Sequence, residues 1–192
     1  VDEWFESIRK THIKGRAEMI RFADDLVFIF QHQSQAEKFF NVLPLRLKKY
    51  GLDMHLDKSS LVPSGRIAME RAVQAGKRLP SYKFLGFTCY WGLSAKKTFW
   101  RLQYTSRADR FSAKLRALRN YLWENLTVKD TNYFLKRVAA VVRGWINYHA
   151  ISENDRRVGE FVLASKRIIL RWFHRWGGRR RMNWKRFTTL LG

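Results

Sequence analysis

The pattern of apolar and polar positions differs between the two halves of the chain. In the first half, short runs rich in β-branched and aromatic residues lie between segments with helical periodicity. The helical segments are residues 1–15, 34–51 and 67–80, and the strand-like segments are residues 18–23, 26–30, 52–65, 82–91 and 97–105. Because helices and neighbouring strands mix in this order, the first half predicts an α+β unit with an antiparallel sheet.

Residues that start and stop helices support these bounds. Gly15 should end the first helix, and Ser34 with Glu37 has capping-box spacing for the second. Gly51 should end the second helix, and Pro44 within it should introduce a kink. Residues 67–80 are predicted to form an inserted helix or lid, to which the pattern assigns no role.

The second half of the chain predicts three amphipathic helices. One covers residues 107–123, and two capping-box pairs open the others, Thr127 with Asp130 and Ser152 with Asp155. The predicted core stripes are Phe134, Val138, Val141, Trp145 and Tyr148 in the second helix, and Val158, Val162, Ile169, Phe173 and Trp176 in the third. Burial of these stripes against each other predicts a three-helix bundle.

Charge also differs between the two halves. The chain carries a formal net charge of +22, to which residues 1–96 contribute +6 and residues 97–192 contribute +16. Such an excess of cations repels itself unless a polyanion screens it, so nucleic acid is the first partner to consider. We therefore predict two domains, an α+β domain over residues 1–104 and an all-α bundle over residues 105–192.

Composition argues against several other classes of protein. The single cysteine, Cys89, allows neither an internal disulfide nor a cysteine-based zinc site, and it fits a small core residue in a reducing compartment. His55 and His149 have no second histidine or cysteine at ligand spacing, which argues against metal binding by either. No apolar run in the sequence approaches the roughly 18–20 residues that span a bilayer.

Two adjacent carboxylates, Asp24 and Asp25, interrupt the apolar run between residues 18 and 30. The strand-like segments on either side predict a tight hairpin with both side chains exposed at its tip. Two like charges about 4 Å apart repel by about 1 kcal/mol in water, so a cation is expected beside them. Mg²⁺, with Mn²⁺ as a substitute, prefers oxygen ligands and binds phosphates as well. An ordinary acidic turn is the alternative for an isolated pair.

Four motifs in order make the chain resemble the reverse transcriptases and maturases of group II introns. They are FADD at residues 22–25, GLDMHLDKSS at 51–60, KFLGF at 83–87 and VVRGWINYHA at 141–150. The resemblance implies an RNA-directed DNA polymerase that binds intron RNA and extends a primer by two-metal nucleotidyl transfer. It also implies a fold, the remnant of an antiparallel palm sheet with packed helices, followed by the three-helix thumb that is called domain X in maturases.

The resemblance assigns roles to residues of the palm. Asp24 and Asp25 would bind the catalytic Mg²⁺ ions, and Ala23 would lie beside the primer end. Phe22 stands where tyrosine is usual, which keeps the ring and loses a hydroxyl. Lys58 matches a lysine near the phosphates of the incoming deoxynucleoside triphosphate, whereas by spacing alone it is equally a solvated turn lysine.

Further roles follow for the primer grip and the thumb. Leu85 and Gly86 match the primer-grip hairpin, although a glycine there also fits a bulge or a close backbone approach. The thumb motif and NWKRF at residues 183–187 imply a surface that holds intron RNA and the RNA/DNA template-primer. The candidate nucleic-acid-binding residues are Arg137, Arg143, Lys166, Arg167, Arg171, Arg175, Arg179, Arg180, Arg181, Lys185 and Arg186. Trp145 and Tyr148 fit core packing better than base stacking.

Two other functions stay open at this point. One is a non-catalytic maturase module that binds and folds intron RNA, and the other is a related reverse transcriptase of CRISPR adaptation or phage defence. The family's fingers and third metal-binding aspartate precede the hairpin motif, so we expect a fragment that needs an N-terminal fingers and palm segment for activity. The expected location is the bacterial cytoplasm, with an organelle as the alternative.

Overall fold

A computed structural model of the chain describes residues 1–176 and 183–190. The helices in this part are α1 (Asp2–Thr11), α2 (Gln33–Lys48), α3 (Arg66–Gln74), α4 (Ala108–Glu124), α5 (Thr131–His149), α6 (Asp155–Trp176) and α7 (Trp184–Leu190). The strands are β1 (Ala17–Phe22), β2 (Asp25–Phe30), β3 (Tyr82–Phe84), β4 (Phe87–Leu93) and β5 (Trp100–Ser106). The predicted α+β class is confirmed, with two small antiparallel sheets, β1-β2 and β3-β4-β5.

Contacts divide the chain into two compact units. Unit 1 comprises residues 1–85 and 90–102, and unit 2 comprises residues 86–89 and 103–192. Unit 1 therefore contains the first hairpin with α1, α2 and α3, and unit 2 contains the remaining helices with a short stretch of β4. Each unit has a hydrophobic core of its own.

The core of unit 1 is a cluster of aromatic rings between the first hairpin and two helices. In the hairpin, Met19 pairs with Phe28 across the strands. Because side chains alternate between the faces of a strand, this register puts Phe28 on the side of α1 and α2. Phe39 of α2 lies 4.5 Å from Phe28 between ring centroids, and Phe5 of α1 lies 5.2 Å from Phe28. Phe5 is fully buried in this cluster.

Two details of unit 1 differ from the sequence predictions. The predicted capping box of α2 is wrong, because the helix begins at Gln33 and the cap position, His32, makes no side-chain hydrogen bond. Instead Gln33 Nε2 donates to Glu37 Oε1 at 2.7 Å. The strands predicted over residues 52–65 are also wrong, since only a short 3-10 helix, Leu56–Lys58, forms in that segment. A strand needs a partner strand, and local alternation does not supply one.

The second sheet starts with a hairpin at Leu85 and Gly86, where the apolar pattern predicted one strand and the resemblance implied a hairpin. Residues 82–91 are split into β3 and β4 by Leu85 and Gly86, whose φ angles of 45° and 78° are both positive. Positive φ at both central residues suits the right-handed twist of a two-residue hairpin. A Cβ atom on Gly86 would meet Tyr148 Cε1 at 3.5 Å, so this turn also passes close to α5.

Among the described residues, the core of unit 2 contains the predicted bundle of three helices and one further short helix. Its buried residues are Leu118, Leu122, Phe134, Val138, Ile168, Ile169, Trp172 and Phe187. Phe187 belongs to the short helix α7 and is fully buried. The predicted bundle of α4, α5 and α6 is therefore present, and α7 packs against it as a further element.

The core-facing stripes of α5 and α6 are only partly the predicted ones. In α5, Val141 and Tyr148 are 39% and 54% exposed, whereas His149 is buried. The prediction spaced apolar positions by 3.5 residues, whereas a straight helix has 3.6 residues per turn and its stripe drifts. In α6 the buried positions start at Phe161 and include Ser165, a small polar residue that an apolar pattern does not count.

Stacked rings continue the core of unit 2 towards β4. Trp145 lies 3.7 Å from Phe161 and 4.0 Å from His149 between ring centroids, nearly parallel to both. Phe87 of β4 contacts the His149 ring at 5.3 Å. Cys89, predicted as a small core residue, is buried two positions further along β4. The RGWINYH motif thus supplies core residues through Trp145 and His149.

A buried polar network fixes the connection between α5 and α6. Asn154 Nδ2 donates to Ser106 Oγ and to the backbone carbonyl of His149, each at 2.8 Å. Asn154 Oδ1 accepts from the backbone N–H of Ser106 at 3.0 Å. Asn154 and Ser106 are both almost fully buried, so each of these bonds satisfies a polar group that lacks access to water.

Among the helices of residues 1–176 and 183–190, none combines the length and the apolar character needed to cross a membrane.

We predict that Asn154→Ala lowers the free energy of unfolding by about 1–3 kcal/mol, because it leaves buried donors and acceptors without partners. Urea unfolding followed by tryptophan fluorescence measures this change. Asn147→Ala is the matched control, since Asn147 is exposed on α5 and its loss should cost less than about 0.5 kcal/mol. Equal stability of the two variants would show that the buried network does not hold the α5–α6 connection.

A second prediction concerns pH. Burial lowers the pKa of His149 from its ordinary value of 6.5, and the hydrogen bond to the Trp145 carbonyl only partly opposes this shift. Below about pH 6.5, His149 is therefore protonated in the unfolded chain and stays neutral in the folded chain until a lower pH. The contribution of His149 to the free energy of unfolding should be constant above pH 6.5. It should decrease as the pH falls below 6.5, by at most about 1.4 kcal/mol per pH unit.

Unfolding of His149→Gln between pH 7.5 and 5 tests this prediction. The variant should lose part of the decline at low pH, while His55→Gln, which replaces an exposed histidine, should keep it. An identical pH dependence in wild type and His149→Gln would contradict the role given to His149.

Candidate functional site

The turn of the first hairpin brings four candidate residues together. Phe22 pairs with Asp25 across the strands, which leaves Ala23 and Asp24 as a two-residue turn. Ala23 has a φ of 51°, in the left-handed region, which costs a residue with a Cβ roughly 1–2 kcal/mol. All four side chains are exposed, and Phe22 is 64% exposed despite its aromatic ring. The tip of the hairpin therefore exposes an aromatic ring and two carboxylates.

Neither carboxylate of the turn is neutralised within the part of the chain that the structure describes. Arg21, the cation nearest in sequence, pairs with Asp2 at 2.8 Å instead. Arg9 pairs with Glu6 at 2.8 Å and reaches Glu18 at 3.9 Å. Arg21 is thus engaged by another acid, and the oxygens of Asp24 and Asp25 stay open to a ligand.

The donor set of the turn fits a divalent cation such as Mg²⁺. Carboxylate oxygens are the ligands that Mg²⁺ prefers, and this ion typically takes only one or two from protein, completing its shell with water and phosphate oxygens. Among the described residues, no group of three or more acidic, histidine or cysteine side chains is placed to hold a metal. Asp24 and Asp25 would therefore supply two protein ligands to such an ion, and its other coordination positions would be filled by water, phosphate or other protein groups.

The remaining palm candidates lie in other elements. Lys58 is exposed at the end of the 3-10 helix, where the hydroxyl of the next residue, Ser59, donates to the carbonyl of His55 at 3.0 Å. Leu85 and Gly86 form the turn between β3 and β4. The structure thus groups residues 22–25 in one turn, and it places Lys58 and the Leu85–Gly86 turn on separate segments.

The candidate nucleic-acid-binding residues are distributed over three helices of unit 2. Arg137 and Arg143 lie exposed on α5, and Arg167, Arg171 and Arg175 lie exposed on α6. Lys166 on α6 is half-buried, and Lys185 and Arg186 lie exposed on α7. Arg179, Arg180 and Arg181 lie outside the described residues. Residues 166–176 of α6 contain four lysines and arginines and no acid, so this part of the helix is strongly basic.

One feature of unit 2 was missed by the sequence interpretation. The guanidinium of Arg175 lies 4.2 Å from the ring centroid of Trp123, which is 56% exposed on α4. Both residues line a cavity of about 460 Å³ between α4 and α6, together with Arg119. The only sequence signal was a tryptophan next to the buried Leu122. This signal could not reveal the cavity, because the cavity depends on how α4 and α6, which are far apart in sequence, pack against each other.

Comparison with known proteins adds one finding. Residues 1–89 match the family model of the reverse transcriptase (RNA-dependent DNA polymerase). No curated protein and no solved structure matches the chain. The matched region includes the carboxylate turn, Lys58 and the turn between β3 and β4. This part of the chain is therefore similar to a segment of a reverse transcriptase domain.

Proposed function

We propose that the chain is part of an RNA-directed DNA polymerase of the group II intron type, in which unit 1 carries catalytic carboxylates and unit 2 binds RNA. The observation that carries the proposal is the exposed pair of Asp24 and Asp25 on a tight turn within the segment that matches reverse transcriptases. An acidic turn without function gains nothing from placing two unneutralised carboxylates side by side.

In this proposal each palm residue has a defined task. Asp24 and Asp25 would hold divalent metal, which would stabilise negative charge on the attacking 3′-oxygen and on the leaving pyrophosphate. Ala23, with its small side chain, allows the primer end to approach the turn. The exposed ring of Phe22 offers an apolar surface beside the metal ligands. The exposed ammonium of Lys58 provides positive charge for the triphosphate of the deoxynucleotide.

The proposal requires a further protein segment. Two carboxylates leave the coordination of two catalytic metals incomplete, and the described residues supply no third carboxylate beside them. We therefore infer that a fingers and palm segment of the reverse transcriptase contributes this ligand and encloses the deoxynucleotide. RNA-directed synthesis by the chain would depend on that segment.

Unit 2 is proposed to hold intron RNA and the template-primer. The residues of unit 2, 86–89 and 103–192, carry a net charge of +14, and five of the candidate arginines on α5 and α6 are exposed. Neutralisation of phosphates releases counterions, which makes such a surface a binding site for RNA of many sequences. Within the RGWINYH motif, Trp145 and His149 are buried and stabilise the bundle, whereas Arg143 is exposed and available to phosphates.

A second candidate is a maturase module that binds and folds RNA without catalysis. The observation in its favour is the absence of a three-carboxylate cluster among residues 1–176 and 183–190. The two candidates share the RNA-binding role of unit 2 and differ only in whether Asp24 and Asp25 act in chemistry.

Primer extension on an RNA template tests the polymerase role. The chain alone should not extend a primer, and addition of a fingers and palm segment from a group II intron reverse transcriptase should restore extension. In the complemented protein, Asp24→Asn or Asp25→Asn should lower the extension rate by several orders of magnitude, because the neutral amide is a poor metal ligand. RNA affinity should be nearly unchanged in both variants.

Asp53→Asn is the matched control, since it removes one exposed carboxylate elsewhere in unit 1 and should leave extension intact. Full activity of Asp24→Asn in the complemented protein would exclude the proposed catalytic role. The maturase module would then be the better account if RNA binding persisted.

Salt dependence tests RNA binding by unit 2. Affinity for an RNA duplex should fall linearly with salt on logarithmic axes. Replacement of Arg137, Arg143 and Arg167 by alanine should flatten the slope by about 0.7–0.9 for each phosphate that the variant no longer neutralises. Fluorescence anisotropy at several salt concentrations measures both slopes.

The control removes the same charge from unit 1, through alanine at Lys10, Lys48 and Lys49, all of which are exposed. This variant should keep the wild-type slope. If both triple variants flattened the slope equally, RNA binding would depend on overall charge, and no specific surface on unit 2 could be assigned.

A further inference from the structure

The cavity between α4 and α6 lies outside the carboxylate turn and outside every motif of the sequence. Its volume of about 460 Å³ falls within the roughly 300–1,000 Å³ that is usual for sites of small ligands. The lining residues are apolar at Leu122, Leu126, Ile168 and Trp172, and basic or aromatic at Arg119, Trp123, Arg171, His174 and Arg175. Leu122, Ile168 and Trp172 are buried, so the floor of the cavity is apolar.

Trp123, which lines the cavity, is unusually exposed for a tryptophan. Its side chain is 56% exposed, although tryptophan is a large apolar residue that normally packs inside or in an interface. Arg175 lies 4.2 Å from the ring centroid, a distance at which the guanidinium interacts favourably with the ring. The pair therefore offers both a flat aromatic surface and a positive charge at one place.

The charges around the cavity favour an anionic ligand. Arg119 of α4 and Arg171 and Arg175 of α6 line it, and residues 166–176 contain no acid. The only acid next to Trp123 in sequence is Glu124, which does not line the cavity. A ligand that combines a flat ring with a phosphate matches an apolar floor, an exposed indole and three arginines.

We propose that this cavity binds one unpaired nucleotide of an RNA chain, with the base against Trp123 and the flanking phosphates at Arg119, Arg171 and Arg175. The proposal rests on the RNA-binding function of unit 2 and adds a preference for single-stranded over duplex RNA. In a duplex the bases stack on one another and show only their edges, so no base face is free for Trp123. Aromatic stacking with an unpaired base tolerates any sequence.

The test compares two RNA ligands with the same number of phosphates, an unstructured single strand and a blunt duplex, by fluorescence anisotropy at one fixed salt concentration. Trp123→Ala should weaken single-strand binding by roughly 5- to 150-fold, the range found when a stacking aromatic residue is removed. Duplex binding should change by less than about twofold. Trp123→Phe, which keeps a ring, should retain most of the single-strand affinity.

Tyr133→Ala is the matched control. Tyr133 is also an exposed aromatic residue with an arginine over its ring, Arg137 at 5.9 Å, but it does not line the cavity. This variant should bind both RNA ligands like wild type. Because Trp123 and Tyr133 are both more than half exposed, both variants should fold, and circular dichroism checks this.

The outcomes separate this inference from the proposed function. If the wild-type chain binds neither RNA ligand, the proposed RNA-binding function and the nucleotide site are both wrong. If wild type binds RNA but Trp123→Ala weakens both ligands equally or neither, RNA binding by unit 2 stands and the nucleotide site is wrong. Displacement of the single strand by an acidic peptide with one aromatic residue, as effectively as by unlabelled RNA, would assign the cavity to a protein partner and overturn the proposal.

Discussion

The two-residue turn of the first hairpin is the constraint on which the rest of unit 1 depends. With Phe22 opposite Asp25, the alternation of side chains sends Phe28 into the cluster with Phe5 and Phe39. A slip of one residue would turn Phe28 to solvent and break that cluster. Packing of these rings therefore holds the left-handed conformation of the turn, and the same register keeps Asp24 and Asp25 together at its exposed end.

In unit 2, buried packing residues and exposed cations lie on different faces of the same helices. On α5, Trp145 and His149 stack inside, while Arg137 and Arg143 lie exposed. The buried bonds of Asn154 fix the connection to α6 without using any of these cations. The bundle thus combines a core of stacked aromatic rings and a satisfied polar network with exposed cations on the same helices.

Local signals predicted much of this fold and of the carboxylate turn. The first hairpin follows from two apolar runs around adjacent aspartates, and most helix bounds follow from periodicity. Features set by distant partners were missed. Residues 52–65 alternate like a strand but have no strand to pair with, and His149 is buried where the apolar stripe predicted Tyr148. The cavity at Trp123 depends on the packing of α4 against α6, which no local pattern encodes.

The central claim is that the turn of the first hairpin holds a divalent metal for nucleotidyl transfer. Anomalous X-ray scattering from Mn²⁺, in crystals of the chain complemented by a fingers and palm segment and bound to template-primer and deoxynucleotide, tests it most directly. The account predicts an anomalous peak about 2 Å from carboxylate oxygens of Asp24 and Asp25, and loss of that peak in Asp24→Asn. Mn²⁺ bound only at other residues, with the turn empty in an active complex, would contradict it.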